Sequence, residues 1–362
     1  MKLLVVCRGG PGLGRVVPCY GLVQTLRTTC PTDALFASYG AGYAYLKHVG
    51  EQVMDLGPPA NLFIDSVSAQ AVEVERLASD VGAELILVDG EFFLPVTLAH
   101  LGVPVVYLAN PHDLIGPPNA FRRVNRLLLA HCRAVVISTL SSAGVRLVDV
   151  IPGVPCLEVP AITKLFPTSS PGGAGSPRAL VSMGGGSVGV NPAFREATDQ
   201  ALHATIHALS GLAGERRISG ATVVLGADGH YTASAGQEWL TVLRGPVELT
   251  ALYATHDVFI ARAGRNACAE ALYCGIPSVF LPVTADPHRA SEQANNAAAA
   301  AALSSHVSAV PNWRDAASLR GAIEVAIQYG ASRASRVSHR GNDDAASFIL
   351  GFLAARPPLP TP

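Results

Sequence analysis

One pattern governs what this chain can become: a short run of Val, Leu and Ile that is apolar at every residue, followed by a helical stretch, repeated along nearly the whole length. A strand with one wet face alternates apolar and polar residues. A strand buried on both faces does not, and that burial is the condition of a parallel sheet covered by helices on either side. In the first half the strand candidates are Lys2–Cys7, Ala34–Tyr39, Glu84–Asp89, Val103–Asn110 and Ala134–Thr139. Helical spacing between them predicts helices over Tyr20–Thr28, Ser66–Val81, Leu94–Leu101 and Asn119–His131.

The alternation stops once. Residues 166–177 read FPTSSPGGAGSP, without apolar periodicity and built almost wholly of turn formers, so they form the linker. Beyond it the pattern resumes with strands Arg178–Met183, Ala221–Gly226, Leu240–Arg244, Asp257–Ala261 and Ser278–Pro282. The expected helices here are Pro192–Leu212, Glu248–Thr255, Asn266–Cys274, Ala290–Leu303, Trp313–Tyr329 and Asp343–Ala355. The expectation is an α/β protein of two doubly wound Rossmann-like domains facing a cleft, which 362 residues can accommodate. Residues 1–165 form the first domain and 178–340 the second. A final helix within 341–356 is a candidate to pack back on the first domain, and the PPLPTP tail is expected to be disordered.

Composition removes several classes. Apolar residues at 49% against 15% charged exclude a disordered chain. With 26 basic and 27 acidic residues the formal charge is -1, so no global basic field exists to hold nucleic acid. Seven Cys at 7, 19, 30, 132, 156, 268 and 274 form no CxxC pair and read as buried, reduced thiols. No signal peptide and no uninterrupted apolar run of about 18 residues is present, so a cytoplasmic protein with no integral membrane segment is expected.

Two glycine-rich turns follow the first strand of each half: Arg8-Gly9-Gly10-Pro11-Gly12-Leu13-Gly14-Arg15 and Ser182-Met183-Gly184-Gly185-Gly186-Ser187. Such a strand-to-helix turn brings backbone N–H groups and a helix N-terminus to an anion, although glycine equally makes tight turns with no ligand. A dinucleotide fingerprint fails because Arg15 stands where the third glycine belongs, and neither loop has the Lys of a P-loop.

The most informative stretch is Arg262-Ala263-Gly264-Arg265-Asn266-Ala267-Cys268-Ala269-Glu270, closed by Gly275-Ile276-Pro277. After the next strand, Asp286-Pro287-His288-Arg289 reads as a polar loop before a helix carrying Glu292, Gln293, Asn295 and Asn296. The pattern R-x-G-x-x-x-x-x-E…G-x-P…P…x-Q-x-x-N-A resembles the donor-binding domain of the GT-B glycosyltransferases, in particular the MurG-like branch, family 28. That resemblance implies a hexosyl transfer from a nucleoside-diphosphate sugar (UDP or TDP) to an acceptor hydroxyl with inversion. Glu270 would hold the ribose hydroxyls, and the backbone near Val247 the base edge. Gly185, Gly186, Ser187 and the Gly264 turn would bind the diphosphate, while Gln293 with Glu292 or Asn296 would contact the sugar. Each also has a plainer alternative: Glu270 a solvated helix carboxylate, Gln293 a helix-face amide and Asn296 a helix cap or brace.

No DxD motif or His/Cys cluster is evident, so Arg262 or Arg265 and helix dipoles are expected to stabilise the leaving diphosphate without a metal or other cofactor. In the MurG branch the first loop carries a His where this chain has Arg15. With Gly12 and Gly14, Arg15 is therefore an anion or acceptor clamp and not a base, because Arg does not deprotonate. The base candidates lie at strand ends of the first half: Asp89, Glu91, His112 and Asp113. The acceptor half lacks a close match, favouring a small soluble acceptor such as a secondary-metabolite core (antibiotic biosynthesis). A cell-wall lipid-intermediate transferase, a nucleotide-sugar isomerase and a non-catalytic nucleotide-binding module are the competing readings. The basic helix Arg122–Leu129 reads either as a solvated face or as one turned to an acidic acceptor, and the oligomeric state is unreadable.

Overall fold

The structure, a computed structural model, describes residues 1–10, 12–57, 69–116, 119–140, 144–165, 175–184, 192–226, 229, 231–283, 287–330 and 340–354. Contacts divide the chain into two compact units that do not follow the sequence strictly. One comprises Met1–Gly9, Arg15–Leu165 and 339–362; the other comprises Gly10–Gly14 and 166–338.

The first unit holds β1 (Lys2–Cys7), α1 (Val16–Thr29), β2 (Asp33–Ser38), α2 (Gly40–His48), β3 (Val53–Asp55), α3 (Ala69–Val81) and β4 (Leu85–Asp89). It continues through α4 (Leu94–Thr97), a 3-10 turn (Ala99–Leu101), β5 (Val105–Ala109), α5 (Pro111–Leu114), α6 (Ala120–Leu129), β6 (Ala134–Thr139), β7 (Arg146–Val148) and β8 (Cys156–Pro160). Its eight strands run β3-β2-β1-β4-β5-β6-β8-β7, parallel except for the β7–β8 pair. The residues of β4, β5 and β6 are buried throughout, which is why their sequence shows no alternation. Between neighbours β1 and β4 the strand order reverses, and Cys7 lies opposite Asp89 at their carboxyl ends.

Several boundaries differ from expectation for physical reasons. Helix α1 starts at Val16 and not at Tyr20, because Pro18 sits in the first turn, where no intrahelical partner awaits its missing N–H. The expected helix over 94–101 breaks into α4 and the 3-10 turn, which ends at left-handed Gly102 (φ 67°). Helix α2 was concealed by Gly40 and Gly42. The latter has no room for a side chain, since a Cβ there would lie 2.7 Å from the Gly9 backbone.

Helix α6 overturns the expectation of a solvated basic face. Arg122 and Asn125 are buried, whereas Phe121 (48%), Val124 (48%) and Leu127 (72%) are exposed. The cause is α5, whose four residues leave carbonyls unpaired at its end. Arg122 Nε donates to His112 O (3.1 Å), Asn125 Nδ2 to Asp113 O (3.2 Å) and an Arg126 guanidinium nitrogen to Leu114 O (2.7 Å). Arg122 and Asn125 are drawn inward beside Leu129, while Phe121, Val124 and Leu127 are left outside.

The second unit contains β9 (Arg178–Ser182), α7 (Pro192–Gly214), β10 (Gly220–Leu225), β11 (Leu240–Arg244), α8 (Leu249–Thr255), β12 (Val258–Arg262) and α9 (Arg265–Cys274). It ends with β13 (Ser278–Leu281), α10 (Pro287–Leu303), β14 (Val307–Ala309) and α11 (Ala316–Tyr329). Its sheet runs β11-β10-β9-β12-β13-β14, wholly parallel, with the order reversing between β9 and β12. Helix α10 begins at Pro287, so 287–289, read as loop, is its first turn. Helix α12 (Arg340–Ala354) belongs to the first unit, where it packs on β8 and α1. Buried Asn342 fastens it, donating to Gly21 O (3.2 Å) and Thr163 O (2.8 Å). The tail from 355, the linker 166–174 and Gly185-Gly186-Ser187 lie outside the described residues.

Candidate functional site

Parallel sheets present ligand sites outside the carboxyl ends of their strands, where the strand order reverses. In the second unit that place lies after β9 and β12. Gly184 follows β9 with φ 119°, and a Cβ on it would come within 2.8 Å of the Arg262 guanidinium. The backbone conformation therefore requires glycine, and a side chain there would displace the Arg262 guanidinium. Half-buried Arg262 ends β12 and stacks over Phe194, 4.7 Å from the ring centroid. The chain then turns tightly, Gly264 N–H donating to Arg262 O (2.7 Å), and buried Arg265 opens α9 with its N-terminus at this end of the sheet.

Glu270 lies one and a half turns into α9, only 4% exposed, and its Oε2 accepts from Tyr253 Oη at 2.7 Å. Burial, and then the Glu270 charge, push the Tyr253 phenol well above its ordinary value, so Tyr253 remains a donor. The reading of Glu270 as a solvated surface carboxylate is overturned. Tyr253 comes from α8, whose N-cap Glu248 accepts from Thr250 N (3.1 Å) directly after half-buried Val247. Buried Gln293 accepts the Val283 N–H at its Oε1 (2.9 Å), and Asn296 Nδ2 donates to Ala263 O (3.2 Å). Both amides brace turns at the ends of β12 and β13, with half-buried Glu292 beside them on α10.

At the corresponding place in the first unit sits a charge cluster. Arg15 bridges two buried carboxylates, to Asp89 Oδ1 at 2.9 Å and to Asp113 Oδ2 at 2.8 Å. Burial opposes its charge, yet Asp113 and then Asp89 hold it protonated well above the ordinary guanidinium value. Glu91, reached through the turn at Gly90 (φ 87°), accepts at Oε1 from Tyr39 Oη (3.0 Å) and Arg8 Nε (3.4 Å). Arg8 and Arg15 both lie over the Phe92 ring, at 5.7 and 5.9 Å. His112 faces Arg122, whose guanidinium nitrogen stands 3.5 Å from Nδ1. Gly12 and Gly14 stand in the first loop, with nothing within 4 Å of a Cβ at either.

Sequence reasoning missed Tyr253, Tyr39, Arg8 and Phe194. Each reaches its partner across the fold, Tyr39 being 52 residues from Glu91, and no local motif marks such a pairing. All seven cysteines are free. Among the described residues no three His, Cys, Asp or Glu side chains converge as metal ligands, and no helix is long and apolar enough to cross a membrane.

Comparison with known proteins places this geometry. Residues 234–342 match the glycosyltransferase family 28 C-terminal domain. Over 126 residues the chain is 32% identical to the UDP-N-acetylglucosamine–N-acetylmuramyl-(pentapeptide) pyrophosphoryl-undecaprenol N-acetylglucosamine transferase of Cutibacterium acnes. That alignment covers 34% of this chain and 31% of the relative, so the chain spans about a third of the length of the curated protein it matches. Similar solved structures include the Streptomyces sp. SF2575 glycosyltransferase SsfS6, at TM-score 0.56 and 17% identity over 97% of this chain and 99% of that one. The spinosyn rhamnosyltransferase SpnG, complexed with thymidine diphosphate, gives TM-score 0.58 and 16% identity over 99% and 97%. The MurG of Acinetobacter baumannii gives 0.53 and 14% over 97% and 99%. The two doubly wound sheets are those of the GT-B glycosyltransferase fold. Within it, residues 234–342 of the C-terminal unit resemble the C-terminal domain of glycosyltransferase family 28.

Proposed function

We propose that this chain is a glycosyltransferase that moves a sugar from a nucleoside-diphosphate sugar, UDP or TDP, to a hydroxyl of a small soluble acceptor, with inversion. The observation that carries the reading is Glu270. It is a buried carboxylate on the helix that opens at the Gly264 turn, oriented by Tyr253, inside the segment that matches the family 28 domain. Glu270 accepts the ribose hydroxyls, and the backbone near Val247 meets the base. The Gly264 turn, with Gly185, Gly186 and Ser187, takes the diphosphate. Arg262, Arg265 and the N-terminus of α9 offset the charge that develops on it, in place of a metal. Gln293, whose oxygen is engaged by Val283, offers its NH2 to the sugar, with Glu292 and Asn296 beside it.

In the reaction the acceptor oxygen bonds to the anomeric carbon, the bond from that carbon to the diphosphate breaks, and the diphosphate leaves with the electron pair. The acceptor proton passes to Glu91. Asp89 and Asp113 are held by Arg15 at 2.9 and 2.8 Å and His112 stands against Arg122, whereas the 3.4 Å contact of Glu91 with Arg8 is long, and the Arg8 side chain is 24% exposed. Arg8 gives way when the hydroxyl arrives.

Thermal-shift titration with nucleoside diphosphates tests the reading. UDP or TDP at about 100 times its dissociation constant adds about 2.7 kcal/mol of stability. Glu270→Gln weakens that binding about ten-fold or more, the worth of hydrogen bonds to a charged group, while Glu91→Gln abolishes turnover and leaves binding intact. Absence of binding by any nucleoside diphosphate would sink the proposal. A second reading, N-acetylglucosamine transfer to a lipid-linked cell-wall intermediate, is favoured by the Cutibacterium acnes identity. Activity with that acceptor and none with soluble alcohols would replace the first reading.

A further inference from the structure

We infer that Phe194 is a positioning residue of the diphosphate site: its ring holds the Arg262 guanidinium by one face and so keeps the in-plane N–H groups turned to the phosphates. This inference rests on the nucleotide-sugar reading and assigns a further residue to that same site.

Phe194 lies in the first turn of α7, at the end of the sheet where β9 and β12 finish, and the central carbon of the Arg262 guanidinium stands 4.7 Å from its ring centroid. Gly184 confines the same guanidinium from the end of β9. A Cβ there would lie 2.8 Å from one of its terminal nitrogens and 3.2 Å from its central carbon. The ring is half-buried and rests against the core of the second unit, which makes it a fixed support.

Charge explains why an aromatic ring holds this arginine. Arg265 opens α9 just beyond the Gly264 turn, the helix N-terminus adds a partial positive charge, and the first turn of α9 contains no acid. A carboxylate in the place of the ring would anchor Arg262 but cancel the charge that a diphosphate needs. A ring face attracts the cation through its quadrupole and adds no net negative charge. It also occupies none of the guanidinium N–H donors, which lie in the guanidinium plane. Phe194 thus orders a cation without neutralising it.

The side chain can be changed without breaking the helix. The hydrogen bond that ties this turn, from Thr198 Oγ1 to Phe194 O (2.7 Å), uses the backbone of residue 194 and survives substitution. Phe194→Leu and Phe194→Met keep apolar bulk and remove the ring face, whereas Phe194→Tyr keeps the face. If Phe194→Leu does not fold, Phe194→Met carries the same test.

Calorimetric titration of the full chain uses uridine, thymidine, UDP, TDP and inorganic pyrophosphate. Wild type is expected to bind one diphosphate about ten-fold or more tightly than its own nucleoside. Phe194→Leu and Phe194→Met lose about five-fold in affinity for that diphosphate and for pyrophosphate, the worth of a cation–π contact, while nucleoside affinity stays within about two-fold. Phe194→Tyr restores the wild-type pattern. In an Arg262→Gln background Phe194→Leu has no further effect, because the ring acts only through the guanidinium.

Unchanged diphosphate affinity in Phe194→Leu and Phe194→Met overturns the inference and leaves the transferase reading standing. So does a loss that is as large for the nucleoside, that persists in the Arg262→Gln background, or that Phe194→Tyr shares, since a merely structural support would behave in these ways. Pyrophosphate affinity that falls in Phe194→Leu, in a chain that binds no nucleoside diphosphate, keeps the pairing of Phe194 with Arg262 and discards the nucleotide-sugar reading. Binding of none of these probes by wild type overturns both.

Discussion

Arg15 shows how much one side chain can organise. It occupies a position from which it satisfies two carboxylates at once, and only a planar fork does this. Arg15→Ala leaves Asp89 and Asp113 buried without their cation and is expected to cost roughly 3–5 kcal/mol of stability, read by urea unfolding. Arg15→Lys keeps the charge but cannot span both acids, so its loss is smaller but clear. Equal stability of Arg15→Ala and wild type would show that the bridge holds nothing. The sequence marked Arg15 as incapable of acting as a base. That its work is to hold two acids became visible only when residues 74 and 98 positions away stood beside it.

Among the elements, α12 is held by unusually specific contacts. Its first turn approaches β8 so closely that a Cβ on Gly341 would lie 2.1 Å from Pro160 O, and Asn342 next to it joins α1, Thr163 and the helix. Asn342→Ala leaves buried carbonyls of Gly21 and Thr163 without this donor, at a cost of about 1–3 kcal/mol. Asn342→Asp, which keeps the shape but removes the donors, should be no better. Denaturant midpoints of the two variants decide it: wild-type values in both would show α12 to be an ornament of the first unit. Helix periodicity announced α12, and the PPLPTP run its end. Helices α2 and α5 were not announced, because glycine and proline dominate their local pattern while tertiary contacts form them. For α6 the period was evident and the orientation was not, since the inward face was chosen by carbonyls of another helix.

For the molecule as a whole, the division into two compact units, each with its own buried apolar residues, implies two folding units, one around β1–β8 and the other around β9–β14. Calorimetry is expected to resolve two transitions, of which UDP or TDP raises the one belonging to the second unit; a nucleotide that raises only the first would contradict the placement of the donor. That second transition should also depend on pH through His256. This residue is 2% exposed, wedged between Thr222 Oγ1 (2.9 Å) and Leu252 O (2.8 Å), and burial pushes its imidazole below the ordinary value. At pH 7 and above the group is neutral in both folded and unfolded chains. As pH falls through about 6.5 the unfolded chain binds a proton that the folded one refuses, so stability declines. A His256→Gln variant should lose this part of the slope between pH 7.5 and 5.5, measured as the change in the midpoint of the second transition.

What the amino-acid order determined alone was everything that depends on neighbours along the chain: unbroken apolar runs, helical spacing, glycine turns and the spacing from Gly264 to Glu270. These are local, and burial on both faces of a strand leaves its mark residue by residue. Tertiary structure decided which groups meet. Tyr253 with Glu270, Tyr39 with Glu91, Arg15 with two acids and the inward turn of Arg122 and Asn125 on α6 all depend on contacts between distant segments. Hydrogen-bond and charge partners act through space over a few ångströms, and separation along the chain carries no record of that distance until the sheets have formed.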